Sequence, residues 1–366
     1  MRVRSLGLEV TKQACINPDR THFRQPYLRA YFRIRHGLTD RLPLKLGVAT
    51  LRLRMQQVTV RVPASTSNLG PGFDCLGVAL RIHNSVTVTR GRLREQPHPQ
   101  IVSQAAGRFF KQARRRGFPF SFSIVEKIPR SRGLGSSATI RLGILYALNQ
   151  LSGDPLNPLT IFQLCADLEG HPDNAAPAAF GGFTVVAGSA GGADSRKLAT
   201  GRVRLTGGLL GRGVSTFQRF EVSPRLYFVL LVPDLEIRTS IARKLLPSKI
   251  SHAAAVANCA NACAIAAAFV SKDYEKLRGA FADYLHQPFR AKLISFLPGV
   301  ISGAEKAGAL GAFLSGSGST ICAITLQHPD RVAAAMKRAA RSPLSRTLVT
   351  RADNRGAQIL NLKSEI

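Results

Sequence analysis

Ten residues, Pro129-Arg-Ser-Arg-Gly-Leu-Gly-Ser-Ser-Ala138, hold the densest grouping of side chains and backbone suited to one chemistry, the holding of a phosphate. Gly133 and Gly135 carry no Cβ, so an anion can come close to their backbone N–H groups. Ser136 and Ser137 add hydroxyls that can cap a helix or touch a metal ion. Two further groupings offer charge and hydrogen bonds. Asn68 and Asp74 flank the turn Gly70-Pro-Gly72, an amide and a carboxylate suited to a ligand carrying a hydroxyl and an ammonium. Glu169, His171, Asp173 and Asn174 fall within six residues in Glu-Gly-His-Pro-Asp-Asn, where Glu169 could serve Mg²⁺ and His171 a hydrogen bond. Each grouping also has a plainer reading: a tight turn with a helix cap, a pair of turn-forming residues, or a structural histidine.

The elements around these residues are legible from periodicity. Phe118, Phe120, Phe122 and Ile124 alternate as in a strand, and Ile140, Ile144, Leu145, Leu148 and Leu151 recur at helical spacing. The Gly-Ser run therefore lies where a strand hands over to a helix, and unpaired N–H groups and the positive end of the helix dipole face outward there. Val58, Val60 and Val62 form a strand leading into Pro63–Asp74. Thr239 and Arg243 share a face if a helix starts near Thr239, with Thr239 as its cap. Leu310–Leu314 and Ile321–Ile324 read as short strands joined by Ser315-Gly-Ser-Gly-Ser-Thr320, a turn small enough to approach the phosphate loop.

Other chemistries fit poorly. A P-loop needs a Gly-Lys pair, which the chain lacks. A dinucleotide fingerprint needs an acid at the end of a second strand. Ala138 could serve as its third small residue, but Asp154, the nearest acid, follows the helix. Zinc lacks a second His or Cys at ligand spacing. The 366 residues carry a formal net charge of +30, yet the basic residues are scattered, the only tight cluster being Lys111 with Arg114–Arg116, and there is no Trp. Nucleic acid is therefore not an expected partner. Six cysteines without a Cys-x-x-Cys pair suit a reducing cytoplasm. Residues 253–270 are Ala-rich with Asn258 and Asn261 inside, which predicts a packed core helix rather than a membrane span, with Cys259 and Cys263 buried.

The first 54 residues hold 12 Arg and Lys against 3 acids. Three readings compete for this basic extension: a disordered tail, a targeting peptide, or sequence upstream of the natural start. Because Met55 opens the first clear strand, the last is favoured. Two domains are expected beyond it, over 55–210 and 211–366.

Taken together and in order, these segments resemble the GHMP kinase superfamily and, within it, the homoserine kinase family. The resemblance spans roughly residues 57–345. Pro63–Asp74, Gly133–Ser137, Glu169–Asn174, Thr239-x-x-x-Arg243 and Gln287-Pro-Phe-Arg290 are similar to family motifs. Ser319 stands where the family usually has Pro, a change that could loosen its turn. The resemblance implies an α+β fold with an N-terminal domain like ribosomal protein S5 domain 2 and a ferredoxin-like C-terminal domain. It implies ATP-dependent phosphorylation of the L-homoserine hydroxyl, with ATP and Mg²⁺ as cofactors, in a cytoplasmic enzyme that is often a homodimer; the alternative is a relative acting on another alcohol. By the same resemblance, Pro129, Arg130, Arg132, Gly133, Leu134, Gly135, Ser136, Ser137 and Ala138 surround the triphosphate, and Ser137 and Glu169 hold the metal. Asn68, Asp74, His171, Asn174, Thr239, Arg243 and Arg290 surround the acceptor, with Asn174, His171 and Arg243 closest to the chemistry. Asn174 cannot take a proton at neutral pH; the resemblance implies that the γ-phosphate itself takes the proton, with His171 and Asp173 as the other candidates.

Overall fold

The computed structural model describes residues 57–91, 98–188 and 214–360, together with the backbone of 204–205 and 208–209. The basic extension lies outside the described residues. The described residues between 57 and 360 form one compact unit built mainly on two sheets.

The first sheet grows from two long strands, β1 (Gln57–Ser67) and β2 (Leu76–Arg90), which pair antiparallel along nearly their whole length. In β1, Val58, Val60 and Val62 are buried while the residues between them are more open, as the alternation predicts. β3 (Phe120–Val125) pairs with the far half of β2, and β4 (Phe183–Gly188) with its near half. A short separate ribbon, β5 (Arg204–Leu205) and β6 (Gly208–Leu209), precedes β7 (Val214–Phe220), which extends the sheet beyond β4. Four helices supply the rest of this core: α1 (Gln100–Ala113), α2 (Ser136–Leu151), α3 (Pro158–Glu169) and α4 (Ala175–Phe180). Buried along almost its full length, α2 presses Ile144, Leu145 and Leu148 into the cluster that also holds Val60, Val86 and Phe109. That burial fixes where its N-terminus, and hence the Gly-Ser run, must point.

The second sheet holds β8 (Tyr227–Val232), β9 (Gly311–Leu314), β10 (Ile321–Thr325) and β11 (Arg346–Arg351) in the spatial order β11-β8-β10-β9, all antiparallel. In chain order this is 4-1-3-2, the ferredoxin-like arrangement expected from the sequence. Between β8 and β9 run α5 (Thr239–Lys244), α6 (His252–Ser271), α7 (Gln287–Arg290) and α8 (Leu297–Lys306); α9 (Pro329–Ala340) precedes β11. β8, β9 and β10 read as continuous apolar runs because both faces are covered, whereas the edge strand β11 is more polar and more open. Val229, Leu231 and Ile321 face α8 and α9, whereas Phe228, Leu230 and Ile324 join Leu80 and Phe183 of the first sheet and Leu69 of the loop after β1. The last strand, β12 (Gln358–Leu360), leaves the second sheet and pairs with β1.

One sequence expectation is corrected. α6 is not a packed core helix: only Asn258, Ile265, Ala268 and Phe269 are buried, and Cys259 and Cys263 are exposed on its outer side. Small Ala side chains at every turn satisfy a buried and an exposed face equally well, so composition could not tell them apart. By length and hydropathy this helix is long and apolar enough to cross a membrane.

Candidate active site

A cavity of about 700 Å³ opens where the first turn of α2 faces the second sheet. Its floor is the Gly-Ser run. Gly135 adopts a left-handed backbone, φ 68°, as the residue before α2, and no side chain caps the helix. The plainer sequence reading, in which a serine hydroxyl caps the helix, therefore does not hold. Gly133 also has a positive φ of 72°, and a Cβ there would lie 2.1 Å from the Ser315 carbonyl oxygen. The small hairpin turn does reach the phosphate loop: the Ser315 hydroxyl donates to the Gly133 carbonyl at 2.7 Å, and the Thr320 N–H to the Arg132 carbonyl at 3.2 Å. Ser319 is fully buried and its hydroxyl donates to the Leu235 carbonyl, which ties down the turn expected to be loose.

Arg130, Arg132, Gly133, Leu134, Gly135, Ser136 and Ser137 line the cavity, whereas Pro129 and Ala138 do not; Ala138 is buried in the first core. Arg132 faces the other side of the opening, where its Nε donates to the Pro233 carbonyl at 3.0 Å and its guanidinium pairs with Asp234 and Glu236. Ser137 and Glu169 come together as expected, with the serine Oγ donating to Glu169 Oε2 at 2.7 Å. The other carboxylate oxygen is held by Arg141, one turn after Ser137 on α2. Among the described residues, no three His, Cys, Asp or Glu side chains gather into a metal cluster. One carboxylate and one hydroxyl beside a phosphate cradle suit Mg²⁺, which shares its sphere with phosphate oxygens and water, and do not suit zinc.

The opposite wall is built from side chains far apart in the chain. The loop after β1 bends sharply: Asn68, Leu69 and Asp74 all have positive φ, an uncommon strain in three non-glycine residues. The loop holds itself through the Asp74 N–H, which donates to Asn68 Oδ1 at 3.0 Å, and through Asn68 Nδ2, which donates to the Gly316 carbonyl. Arg243 on α5 donates to Asp74 Oδ1 at 2.6 Å. Burial opposes the charge of Arg243, but Asp74 outweighs it and raises its pKa. Arg290, 2% exposed, donates to the Gly316 carbonyl at 2.9 Å, and its Nε has no partner among the described residues. Burial, reinforced by the nearby Arg243, pushes its pKa down to about 10. Both guanidinium groups sit 5.3 Å from the ring of Phe73. Thr239 does not cap α5, since Arg238 occupies the cap position; its hydroxyl meets that of Ser317 at 3.3 Å.

Between the two walls lie His171, Asp173 and Asn174. His171 Nδ1 and Asp173 Oδ1 are 2.6 Å apart. Burial disfavours the protonated imidazole, but Asp173 overcomes this and raises the His171 pKa above its ordinary value. Asp173 is itself buried, which opposes its charge, yet His171 holds its pKa below the ordinary carboxylate value. Asn174 has both ends engaged: Oδ1 accepts from the Ser65 hydroxyl at 2.8 Å and Nδ2 donates to Ser67 Oγ at 3.0 Å.

Sequence reasoning missed Ser65, Ser67, Phe73 and Arg141. It also missed the apolar end of the cavity, where Pro99, Ile101, Val102, Phe122, Ile124 and Ile140 converge. Arg141 could have been found, because a residue four after Ser137 must share its helical face. The apolar end carries no local signal, since each of its residues also reads as ordinary core.

The model for the N-terminal domain of GHMP kinases matches residues 100–182, and that for their C-terminal domain matches residues 265–342. A homoserine kinase from Caldicellulosiruptor bescii is 33% identical over 325 residues, covering 84% of this chain and 98% of that protein. The chain belongs to the GHMP kinase family. A second relative, a homoserine kinase from Deinococcus radiodurans, is 38% identical over 275 residues, covering 72% of this chain and 82% of its own. The crystal structure of homoserine kinase from Cytophaga hutchinsonii superimposes with a TM-score of 0.70 at 25% identity, covering 84% and 98% of the two chains. A mevalonate kinase crystal structure shares the fold alone, with a TM-score of 0.56 at 14% identity, covering 80% of this chain and 98% of that one. The GHMP kinase assignment accounts for the two sheets and for the order of the motifs along the chain.

Proposed function

We propose that this GHMP kinase transfers the γ-phosphoryl group of ATP to the side-chain hydroxyl of L-homoserine, giving O-phospho-L-homoserine for threonine biosynthesis. The observation that carries this reading is the meeting of Asp74, Arg243 and Arg290 on one wall of the cavity, opposite the Gly-Ser helix start. An acceptor with an ammonium, a carboxylate and a short hydroxyl arm matches that wall. The resemblance to homoserine kinases over most of the chain supports the same acceptor.

In this reading the backbone N–H groups at the start of α2 and the hydroxyls of Ser136 and Ser137 receive the triphosphate, and the apolar end of the cavity receives the base. Ser137 and Glu169 would hold Mg²⁺, which when bound neutralises charge on the phosphate oxygens. Asp74 faces the acceptor ammonium and Arg290 its carboxylate, while Arg243 holds Asp74 in place. Phosphoryl transfer depends chiefly on positioning and charge neutralisation. A carboxylate with a lowered pKa is a weak base, and a histidine with a raised pKa holds a proton more readily than a free one. The Asp173–His171 pair is thus suited to stabilising negative charge, and the acceptor proton passes to a phosphate oxygen. The same reading makes the enzyme cytoplasmic.

The test is ADP release by the purified chain with L-homoserine, L-serine, L-threonine and mevalonate in turn. Turnover that requires L-homoserine is the expected result; no release above background with L-homoserine would overturn the reading.

A further inference from the structure

His286 was not singled out by its sequence, yet it sits at the junction of the acceptor wall. It is completely buried just before α7. Its Nε2 lies 2.8 Å from the Gly70 carbonyl oxygen, and its Nδ1 lies 3.3 Å from Arg290 Nη1. A carbonyl only accepts and a guanidinium only donates. One imidazole meets both needs in a single form, neutral with the proton on Nε2. Burial and the charge of Arg290 favour that neutral form over the protonated one, against the pull of Asp283. Asp283 also fixes the backbone around the ring, accepting from the N–H groups of Leu285, His286 and Gln287. The ring lies against Phe73, with centroids 5.2 Å apart, the same Phe73 on which Arg290 rests.

We propose that His286 is the positioning residue for the acceptor's carboxylate: its neutral imidazole spaces Arg290 from the Gly70 turn and holds the guanidinium against the cavity that receives the substrate. The proposal rests on the homoserine reading above and on Arg290 as the carboxylate partner. Without the Nδ1 acceptor, one Arg290 N–H loses its partner, and the guanidinium is free to turn toward the Gly316 carbonyl it already contacts.

A neighbouring residue serves as a matched control. Asn258 on α6 clamps the same turn, donating through Nδ2 to the Pro71 carbonyl at 2.8 Å, but Arg290 is not among its hydrogen-bond partners. A merely structural loss at the turn is mimicked by Asn258→Ala; a loss of carboxylate positioning is not.

The experiment compares kcat/KM for L-homoserine and for its carboxamide, which lacks the carboxylate charge, in the full-length wild type, His286→Ala, His286→Gln and Asn258→Ala. In the wild type the acid is expected to be preferred. His286→Ala should raise KM for L-homoserine about tenfold or more, leave KM for ATP within about twofold, and shrink the acid-over-amide preference by a similar factor. His286→Gln, which offers one donor and one acceptor, should restore most of the preference. It also keeps the test alive if the alanine variant does not fold. Asn258→Ala should keep the preference while lowering the melting temperature. If both His286 variants keep the full wild-type preference, or if Asn258→Ala loses as much of it, the positioning role is overturned while the homoserine reading stands. A wild type that phosphorylates neither compound overturns the homoserine reading and this proposal with it.

Discussion

In the proposed reading, the phosphate side and the acceptor side of the cavity are built by opposite strategies. The phosphate side is a short run of chain whose working groups are mostly backbone N–H, aimed by the burial of α2. The acceptor side is assembled from charged side chains drawn from three stretches of sequence, the loop at 68–74, α5 and α7, tied together by the Gly316 carbonyl of the 315–320 turn. Backbone donors suit a ligand common to many enzymes, because they depend on the path of the chain rather than on side-chain identity. Side chains from separate elements suit a ligand that must be told apart from its neighbours, because each can be exchanged alone.

Perturbing each side in turn sharpens this contrast. The largest effect is expected from Gly133→Ala. The added methyl meets the Ser315 carbonyl, backbone against backbone, at a φ that disfavours any side chain. The expected cost is about 3 kcal/mol or more of stability, with nucleotide affinity lost alongside it. Urea unfolding and titration with a non-hydrolysable ATP analogue measure the two. If the variant binds the analogue like the wild type, backbone geometry does not govern the phosphate side.

Arg243→Ala should act on one wall only. It releases Asp74 from its ion pair and is expected to raise KM for the acceptor about 10–100-fold while KM for ATP stays nearly constant. Equal changes in both constants would erase the distinction between the two sides.

The smallest effect concerns the pair between the walls. The His171 pKa is raised in the folded state, so its contribution to stability is complete below the ordinary value of 6.5 and fades as pH rises through the higher folded value. The Asp173 pKa is lowered, so its contribution is present above 3.8 and fades as pH falls through the lower folded value. Thermal melts of wild type and His171→Gln at about pH 6 and about pH 8.5 should show the wild-type advantage shrinking at the higher pH. An advantage that is equal at both would mean that the pair does not titrate as its geometry implies.

The same contrast explains what could be read from the sequence. The phosphate loop was legible because its glycines, serines and flanking periodicities are contiguous. Asn68, Asp74, Thr239, Arg243 and Arg290 were legible as residues, but their pairings were not: Asp74 meets Arg243 across 169 positions, and Asn68 and Arg290 converge on the one Gly316 carbonyl, 248 and 26 positions away. His286 was hidden by its bland position ahead of Gln287, and the outward face of α6 was hidden by its uniform alanine. Alternation marked β1 correctly because a strand's period does not depend on its partner, and short apolar runs marked β9 and β10.

The pairing of β12 with β1 bears on how the molecule comes into being. Among the described elements β1 is the first to leave the ribosome and β12 the last, so this edge of the first sheet lacks its β12 partner until some 300 residues have followed. An open strand edge invites wrong partners during that interval. The nascent N-terminal half therefore waits in an unfinished state for the C-terminal strand to close it, and a fragment ending before Gln358 would keep that edge exposed for good.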